Sequence, residues 1–592
     1  MAESLTDDEL VTIVDSYKRK KLNPTSSKTA DDRDLRVYVN RSVSMERIKY
    51  IGFDMDYTLV EYKSPEYEML CFDMVVKRLI SIGYPPEIAG LKYDPTFPLR
   101  GLFFDKQYGN LLKADQFGNI LSCFHGFKSL TSAEIRRQYP NKYVQPTDER
   151  RIHILYTLFQ LPEIYLLAAL VDFFENKNRG YTRIEQSPDT HGGVQCGDVL
   201  ITYQMIWWDV RTSVDWLHVY GDVKEKTVKN LERYVVKDPR LPLCIHKLRS
   251  SGMKTFIATN SDYRYTQKIM THLFDYPEGP DGGPHRRWRE YFDHVIVDAK
   301  KPRFFEEGSM LREVDEDTAS LKLGVFTGAL KPGQVYSGGS SGAFCKYTGA
   351  KGKEILYVGD HIFGDVIKAK KEQAWRQVFL PVPASIVALS SQDHSVKLIR
   401  PVCLFFTLRT FLVLPELKKE VKVWESTQSL FLRLQNLAYI LAEVYGSGSG
   451  PTDGGVKLPD MNSLRRALKV TSQEMEDSYP SRLGSLLRCG SRLTHFAIMA
   501  NRFADLYSSS CVNLMRYPSN YLFTAPHQLM VHETNPSDSL PISPALPGTP
   551  GLTGKRPRML TKLPRGMSIV DHDVDLEDDN GIRKRSSHDE VP

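Results

Sequence analysis

Four short clusters of polar residues, each placed directly after an apolar run, hold the chemistry available to this sequence. The first is Asp54-Met55-Asp56-Tyr57-Thr58. Two carboxylates two positions apart project to the same side of an extended chain. One can attack phosphorus while the other handles a proton, and the covalent intermediate splits a hard hydrolysis into two easier steps. Repulsion between two anions is the obstacle. A divalent cation and a lysine remove it by neutralising charge on both partners. Asp360 and Asp365, in Gly-Asp-His-Ile-Phe-Gly-Asp, can complete an oxygen-ligand magnesium site with Asp54. Lys301 is a candidate charge clamp, and Thr259 a hydroxyl donor to phosphoryl oxygens. Asp56, as general acid, protonates the leaving oxygen, a role worth roughly 10²–10⁴ in rate.

Each cluster alone also has a plain structural reading. An Asp-x-Asp pair is common, a lone Lys-Pro carries no information, and Thr259-Asn260-Ser261-Asp262 is built from residues that favour helix caps. The order along the chain is what points to one phosphoryl-transfer site. Gly338-Gly339-Ser340-Ser341-Gly342 lacks the spacing of a phosphate-binding loop and reads as a turn with a serine helix cap.

The elements that must position these clusters follow from the runs before them. Residues 48–53, 254–258, 294–297 and 354–358 are too apolar to leave one face wet, so they read as strands of a parallel sheet covered on both sides. Reactive residues at the carboxyl ends of such strands sit where open α/β sheets bind ligands. The expected fold class is α/β with a doubly wound parallel sheet. About 200 residues separate the first cluster from the second. Helical stretches at 150–176 and 210–234 make this a large, mainly helical cap inserted into the sheet domain, able to close over the site. The expected plan is a flexible N-terminus (1–34), a first core part (35–105), the cap (106–222), a second core part (223–376), an atypical insert (377–409), core completion with C-terminal helices (410–534) and a disordered tail (535–592). Residues 446–455, rich in glycine and serine, read as a linker.

Composition narrows the class. The 41% apolar and 25% charged residues suit a globular protein, and a net charge of +6 without a dense basic stripe argues against nucleic acid as a partner. No apolar stretch is long enough to span a bilayer, and the N-terminus lacks a signal-peptide core. The scattered cysteines contain no Cys-x-x-Cys pair, which excludes zinc and redox motifs of that kind and suits reduced thiols in the cytosol.

Longer stretches allow a resemblance to be stated. The motif order resembles the haloacid dehalogenase superfamily of aspartate-nucleophile phosphatases. FDMDYTLVEYKSPEYE (53–68), LVDFFEN (170–176), VKEKTVKNLERYVVKD (223–238), ATNSDYRYTQKIMT (258–271), VYSGGSS (335–341) and YVGDHIFGDVIKAKK (357–371) are similar to the cytosolic purine 5′-nucleotidases. The resemblance implies a Rossmann-like core of that superfamily. It implies Asp54 as nucleophile, forming an aspartyl-phosphate, and Asp56 as acid/base with its backbone carbonyl also reaching magnesium. Asp360 is then the third magnesium ligand. Thr259, Asn260, Ser261 and Lys301 hold the phosphate, with Asp365 in support. Arg211, Asp215 and Lys224 match positions that contact the nucleotide, and Phe159 the position that stacks on the base. From the residues alone, Arg211 and Asp215 read instead as an i,i+4 pair on a helix surface. The implied activity is hydrolysis of purine nucleoside 5′-monophosphates (IMP, GMP and deoxy forms), with phosphotransfer to a nucleoside acceptor and a homotetrameric assembly. A phosphatase of the same superfamily with another substrate, and a scaffold or nonproductive isoform, are the alternatives.

The sequence departs from the resembled family in three places. Pro146, Tyr156 and Met499 stand where the effector site for adenine nucleotides has an arginine, an asparagine and a glutamine, and only Arg502 matches. Activation by ATP in the same manner is therefore not expected. Residues 377–409 interrupt the resemblance inside what should be a core strand, a poor place for an insertion. They read either as a retained intron or faulty gene model, or as a tolerated loop whose residues 378–381 replace the native strand. In the tail, basic stretches flank an acidic one, and Ser586 and Ser587 follow Arg583-Lys584-Arg585 as candidate kinase sites.

Overall fold

The computed structural model describes residues 33–175, 180–184, 192–280, 282–370, 408–446 and 461–527. Nearly all of the expected flexible N-terminus, of the insert and of the linker, and the tail with Ser586 and Ser587, lie outside these residues.

A nine-stranded sheet forms the centre. Its order is Tyr38–Val39, Leu506–Ser508, Arg409–Val413, Ile355–Gly359, Tyr50–Phe53, Lys254–Ala258, His294–Val297, Val335–Ser337 and Arg312–Glu313. The inner strands pair parallel, and only the two edge strands pair antiparallel. All four expected strands are present within a residue or two of their expected bounds. Apart from the exposed Lys254 at the start of one strand, their residues are buried on both faces, as continuous apolar runs in a covered parallel sheet should be. Two inner strands, Val335–Ser337 and Leu506–Ser508, were not anticipated. They are short and polar-flanked, so they lack a clear periodic signal.

The core place next to Ile355–Gly359 belongs to Arg409–Val413, with Val358 opposite Phe411. The alternative in which residues 378–381 replace that strand is corrected accordingly, because the family-like residues after the interruption fill the position. Arg409, expected at the end of the insert, is the first residue of the strand, and Leu408 before it is already buried.

Between the first two inner strands of the chain, the expectation of a mainly helical insertion also needs correction. Helices Leu161–Glu175 and Tyr203–Val219 are there, but so are two antiparallel sheets. One has the order Lys128–Ser129, Ile120–His125, Asn110–Ala114, Leu102–Asp105, Ile152–Leu155, and the other Thr182–Ile184, Gly193–Cys196, Val199–Thr202. Leu102–Asp105 and Asn110–Ala114 are buried at every position, so the alternation that marks a half-exposed strand is missing from the sequence. Toward the C-terminus, helices Met461–Asp477 and His495–Phe503 meet the expectation. Among the described residues no helix is long and apolar enough to cross a membrane.

Ser340 caps helix Ser341–Thr348, its hydroxyl accepting from Ala343 N–H at 3.1 Å, so the glycine-serine stretch is the capped turn its spacing implied. One glycine at the centre of the sheet is required by packing. A β-carbon at Gly52 would lie 2.1 Å from the Phe256 ring on the neighbouring strand. Gly52→Ala should therefore destabilise by about 1–3 kcal/mol, the usual cost of overpacking. Thermal and urea unfolding of the full chain would read this as a lowered midpoint, and an unchanged midpoint would show that the ring has room to move.

Candidate active site

The carboxyl ends of four adjacent strands converge on one buried cluster. Asp54 follows Tyr50–Phe53 and extends its register, donating its N–H to Val358 O at 2.9 Å. Asp360 follows Ile355–Gly359. The wide helical turn Ile362–Ile367 brings Asp365 back over that strand end, capped by His361 Nδ1, which accepts from the Phe363 and Gly364 N–H groups. The close return needs a glycine, since a β-carbon at Gly359 would lie 2.5 Å from Asp365 Oδ2.

Lys301 holds this cluster together. Its ammonium lies 2.7 Å from Asp54 Oδ1 and 2.9 Å from Asp365 Oδ1, and it donates to Tyr357 OH at 3.1 Å. Tyr357 in turn donates to Ala258 O at 2.9 Å. The backbone of Lys301 is clamped by Asn260, whose Oδ1 accepts from Lys301 N–H at 2.6 Å and whose Nδ2 donates to Lys301 O at 3.0 Å. Asn260 thus braces the lysine's peptide. Thr259 is fully buried, its hydroxyl accepting from Ser261 N–H at 3.0 Å.

Asp56 is held from two sides. Ser261 Oγ donates to its Oδ2 at 2.8 Å and Tyr62 OH to its Oδ1 at 2.6 Å. Tyr62 OH also lies 2.9 Å from Tyr265 OH. Asp262 is both a helix cap and a site residue. Its Oδ1 accepts from Tyr265 N–H at 2.9 Å, and its Oδ2 pairs with Lys224 Nζ at 2.7 Å. The helix-cap reading of this stretch and its placement at the site are therefore both met.

Burial sets the charges. It pushes Asp54 up to about 7 against the opposing Lys301 ammonium, and it raises Asp360 and Asp56 as well. Burial also works against the charge of Lys301, but Asp365 and Asp54 outweigh it and hold the ammonium well above its ordinary value. The cluster has an excess of negative charge and fits a hard cation. Carboxylate oxygens of Asp54, Asp360 and Asp365 lie within 4.8 Å of one another, and Asp360 Oδ2 is buried without a hydrogen-bond partner among the described residues.

Arg100 supports Asp360 from behind. This fully buried guanidinium donates to Asp360 O at 3.0 Å and pairs with Glu416 through Nε at 2.7 Å and Nη2 at 2.9 Å. No motif surrounds it, so nothing in the sequence singled it out. Tyr62, Tyr265 and Tyr357 were missed as well, although each lies inside a quoted motif. Among tyrosines with ordinary core roles, their hydroxyls had no distinguishing mark.

The residues expected on the leaving-group side form a second wall. Arg211 makes the i,i+4 pair with Asp215 and also pairs with the buried Glu163 at 2.8 Å. Phe159 packs edge-on to Tyr57 at 4.8 Å and to His218 at 5.5 Å, and Tyr57 packs on Tyr62 at 5.1 Å, so this wall is continuous with Asp56. Burial, then Arg211 and Lys224, push His218 down to about 4 and leave it neutral. Arg502 is not part of the site and lies beside the Phe503 ring. Tyr156 stacks on Phe363 with ring centroids 5.8 Å apart, and Met499 packs on the same apolar cluster.

The comparison with known proteins agrees with a hydrolase built on this geometry. The sequence profile described as the 5′ nucleotidase family matches residues 37–383 and 399–535, and the chain belongs to that family. It is also similar to a 5′-nucleotidase domain-containing protein of Dictyostelium discoideum, 25% identical over 543 residues that cover 90% of this chain and 80% of the relative. The profile breaks off inside the interruption noted at 377–409.

Removing one partner of a buried charge pair leaves the other uncompensated. Arg100→Leu should cost about 3–5 kcal/mol of stability. The Arg100→Leu, Glu416→Leu double variant should recover part of that loss. Chemical denaturation of the three proteins measures it, and additive losses would show that the pair is not coupled.

Proposed function

We propose that this chain is a magnesium-dependent phosphatase acting on purine nucleoside 5′-monophosphates, with Asp54 as its nucleophile. The observation behind the reading is the buried Asp54–Lys301–Asp365 bridge at the strand ends, with Asp56 two residues from Asp54 and fixed by Tyr62 and Ser261. Met55 N–H donates to Asp54 Oδ1 at 2.7 Å, and the lysine occupies the same oxygen, which leaves Oδ2 to attack.

In the first step Asp54 Oδ2 bonds to phosphorus as the bond to the 5′-oxygen breaks, and Asp56 delivers a proton to that oxygen. In the second step water attacks the aspartyl-phosphate while Asp56 takes its proton, releasing phosphate and restoring Asp54. Lys301 offsets the phosphoryl charge throughout. Magnesium, held by Asp54, Asp360 and the Asp56 carbonyl with Asp365 in support, supplies further charge neutralisation when bound. A nucleoside hydroxyl in place of water turns the same intermediate into phosphotransfer.

The purine preference is supported by the leaving-group wall. Phe159 offers an aromatic face, and Arg211 with Asp215 offers donors and acceptors to a base edge. Lys224 pairs with Asp262 at 2.7 Å. A homotetramer in the cytosol accompanies this reading.

Asp54→Asn should abolish turnover of IMP and GMP while leaving the unfolding midpoint near that of the native chain. Asp56→Asn should lower kcat by roughly 10²–10⁴. Retained turnover in Asp54→Asn refutes the mechanism. Chelation should stop the reaction and added magnesium should restore it. Equal turnover of CMP or of a sugar phosphate would refute the purine assignment alone.

A further inference from the structure

A cavity of about 530 Å³ lies in the inserted region and shares no residue with the candidate active site. It is enclosed by the turn after Ile120–His125, helix Ser132–Gln138, the end of helix Leu161–Glu175 and the start of helix Tyr203–Val219. Its size falls within the range of small-molecule sites, roughly 300–1,000 Å³.

The wall is built. Glu175 receives His125 Nε2 at 2.7 Å, Arg183 Nη1 at 3.1 Å and the Tyr203 hydroxyl. His125 is buried, and its Nδ1 lies 2.7 Å from Asn110 Oδ1. The fully buried Asn110 donates in turn to Gln138 Oε1 at 2.7 Å and to Tyr139 OH at 3.0 Å. A ladder of this kind fixes the side chains before any ligand arrives.

The charges that remain describe the ligand. Lys128 pairs with Glu134 and Arg183 with Glu175. Among the described residues the side chains of Arg137 and Asp172, both lining the cavity, make no ion pair or hydrogen bond. A free guanidinium suits a phosphate group, and Lys128 and Arg183, each already paired with a carboxylate, line the same cavity. A free carboxylate suits hydroxyl donors. We infer that this cavity binds a sugar phosphate and that its occupancy is felt at the substrate side of the active site.

The route is two helices packed on each other. Helix Leu161–Glu175 begins near Glu163, which holds Arg211, and ends with Glu175 in the cavity. Helix Tyr203–Val219 begins with Tyr203 in the cavity and carries Arg211, Asp215 and His218 to the substrate wall. At 1.5 Å per residue, the cavity ends lie about 12–18 Å along the helix axes from Arg211 and Glu163. Glu175 and the Tyr203 hydroxyl already join the two helices, so a ligand held by Asp172 beside that contact bears on both at once. This coupling rests on the substrate reading of Arg211 proposed above, whereas the binding itself does not.

The test is calorimetry of the full chain with ribose 5-phosphate, alongside ribose and inorganic phosphate, followed by IMP turnover at fixed ribose 5-phosphate. Ribose 5-phosphate should bind, and both fragments should bind at least tenfold more weakly. Arg137 is exposed, so Arg137→Ala should keep the native unfolding midpoint and basal turnover while weakening binding at least tenfold. Ribose 5-phosphate should shift the KM for IMP on the order of fivefold, and Arg137→Ala should remove the shift. Absent binding, or binding that Arg137→Ala leaves intact, overturns the site. Simple competition with IMP that survives in Arg137→Ala assigns the binding to the active site and also overturns it. Binding lost in Arg137→Ala without any change in KM overturns the coupling. If IMP is not a substrate, the calorimetry still decides the site.

Discussion

A single buried ammonium, that of Lys301, governs the architecture around it. Taking a charge out of water is costly unless it is paired with good geometry. Here two carboxylates from different strand ends, Asp54 and Asp365, share it within 2.9 Å. The same ammonium donates to Tyr357, and Asn260 locks the peptide that carries it. The arrangement works only if four strand ends arrive together, which is what a parallel sheet provides. It also requires Gly359, because any side chain there would displace Asp365. The excess carboxylate beyond what one lysine neutralises is what makes the site fit a cation.

In the proposed reaction the rest of the molecule divides into what acts on phosphorus and what holds the leaving group. The sheet supplies the first, on rigid strand ends. The inserted region supplies the second, on helices that rest on the sheet through the aromatic cluster of Tyr57, Tyr62, Tyr67 and Phe159. Tyr62 belongs to both, since its ring packs in that cluster and its hydroxyl fixes Asp56. Arg100 joins them from the other side, reaching from the inserted region to Asp360 and Glu416. Movement between the two regions therefore bears directly on Asp56, the proposed acid/base group, and on Asp360, a candidate metal ligand.

Much of the sheet and its reactive ends could be read from the sequence, because continuous apolar runs followed by polar clusters leave few other structures. Asp54, Asp56, Thr259, Ser261, Lys301, Asp360 and Asp365 do come together. What escaped reading was of two kinds. The antiparallel strands of the inserted region are buried on both faces, so they lose the alternation that would reveal them. The supporting residues are isolated in sequence: Arg100 lies about 260 residues from the Asp360 it holds, and Glu416 still further along the chain. Pairings of that span leave no local pattern. Asn260 shows the limit within a motif, since its residue type does not foretell that its side chain braces the Lys301 peptide.

The interruption at 377–409 illustrates how a fold can accept chain in an unpromising place. By sequence it falls inside a core strand, where an insertion should be ruinous. The structure shows its two flanks converging on one fully buried carboxylate, Asp505. Lys370 pairs with Asp505 at 2.5 Å from one side, and on the other Thr410 N–H donates to it at 2.8 Å. Arg41 and Arg409 add two further cations at 3.6 and 3.9 Å. Chain leaving after Lys370 and returning at Leu408 thus departs from and rejoins nearly the same point. It rejoins at the amino end of Arg409–Val413, whereas the reactive groups sit at the carboxyl ends of the sheet. Phe411, Leu412 and Val413 still fill their strand. The anchoring of both flanks on Asp505, more than the length of what lies between, decides whether the catalytic end of the sheet is disturbed.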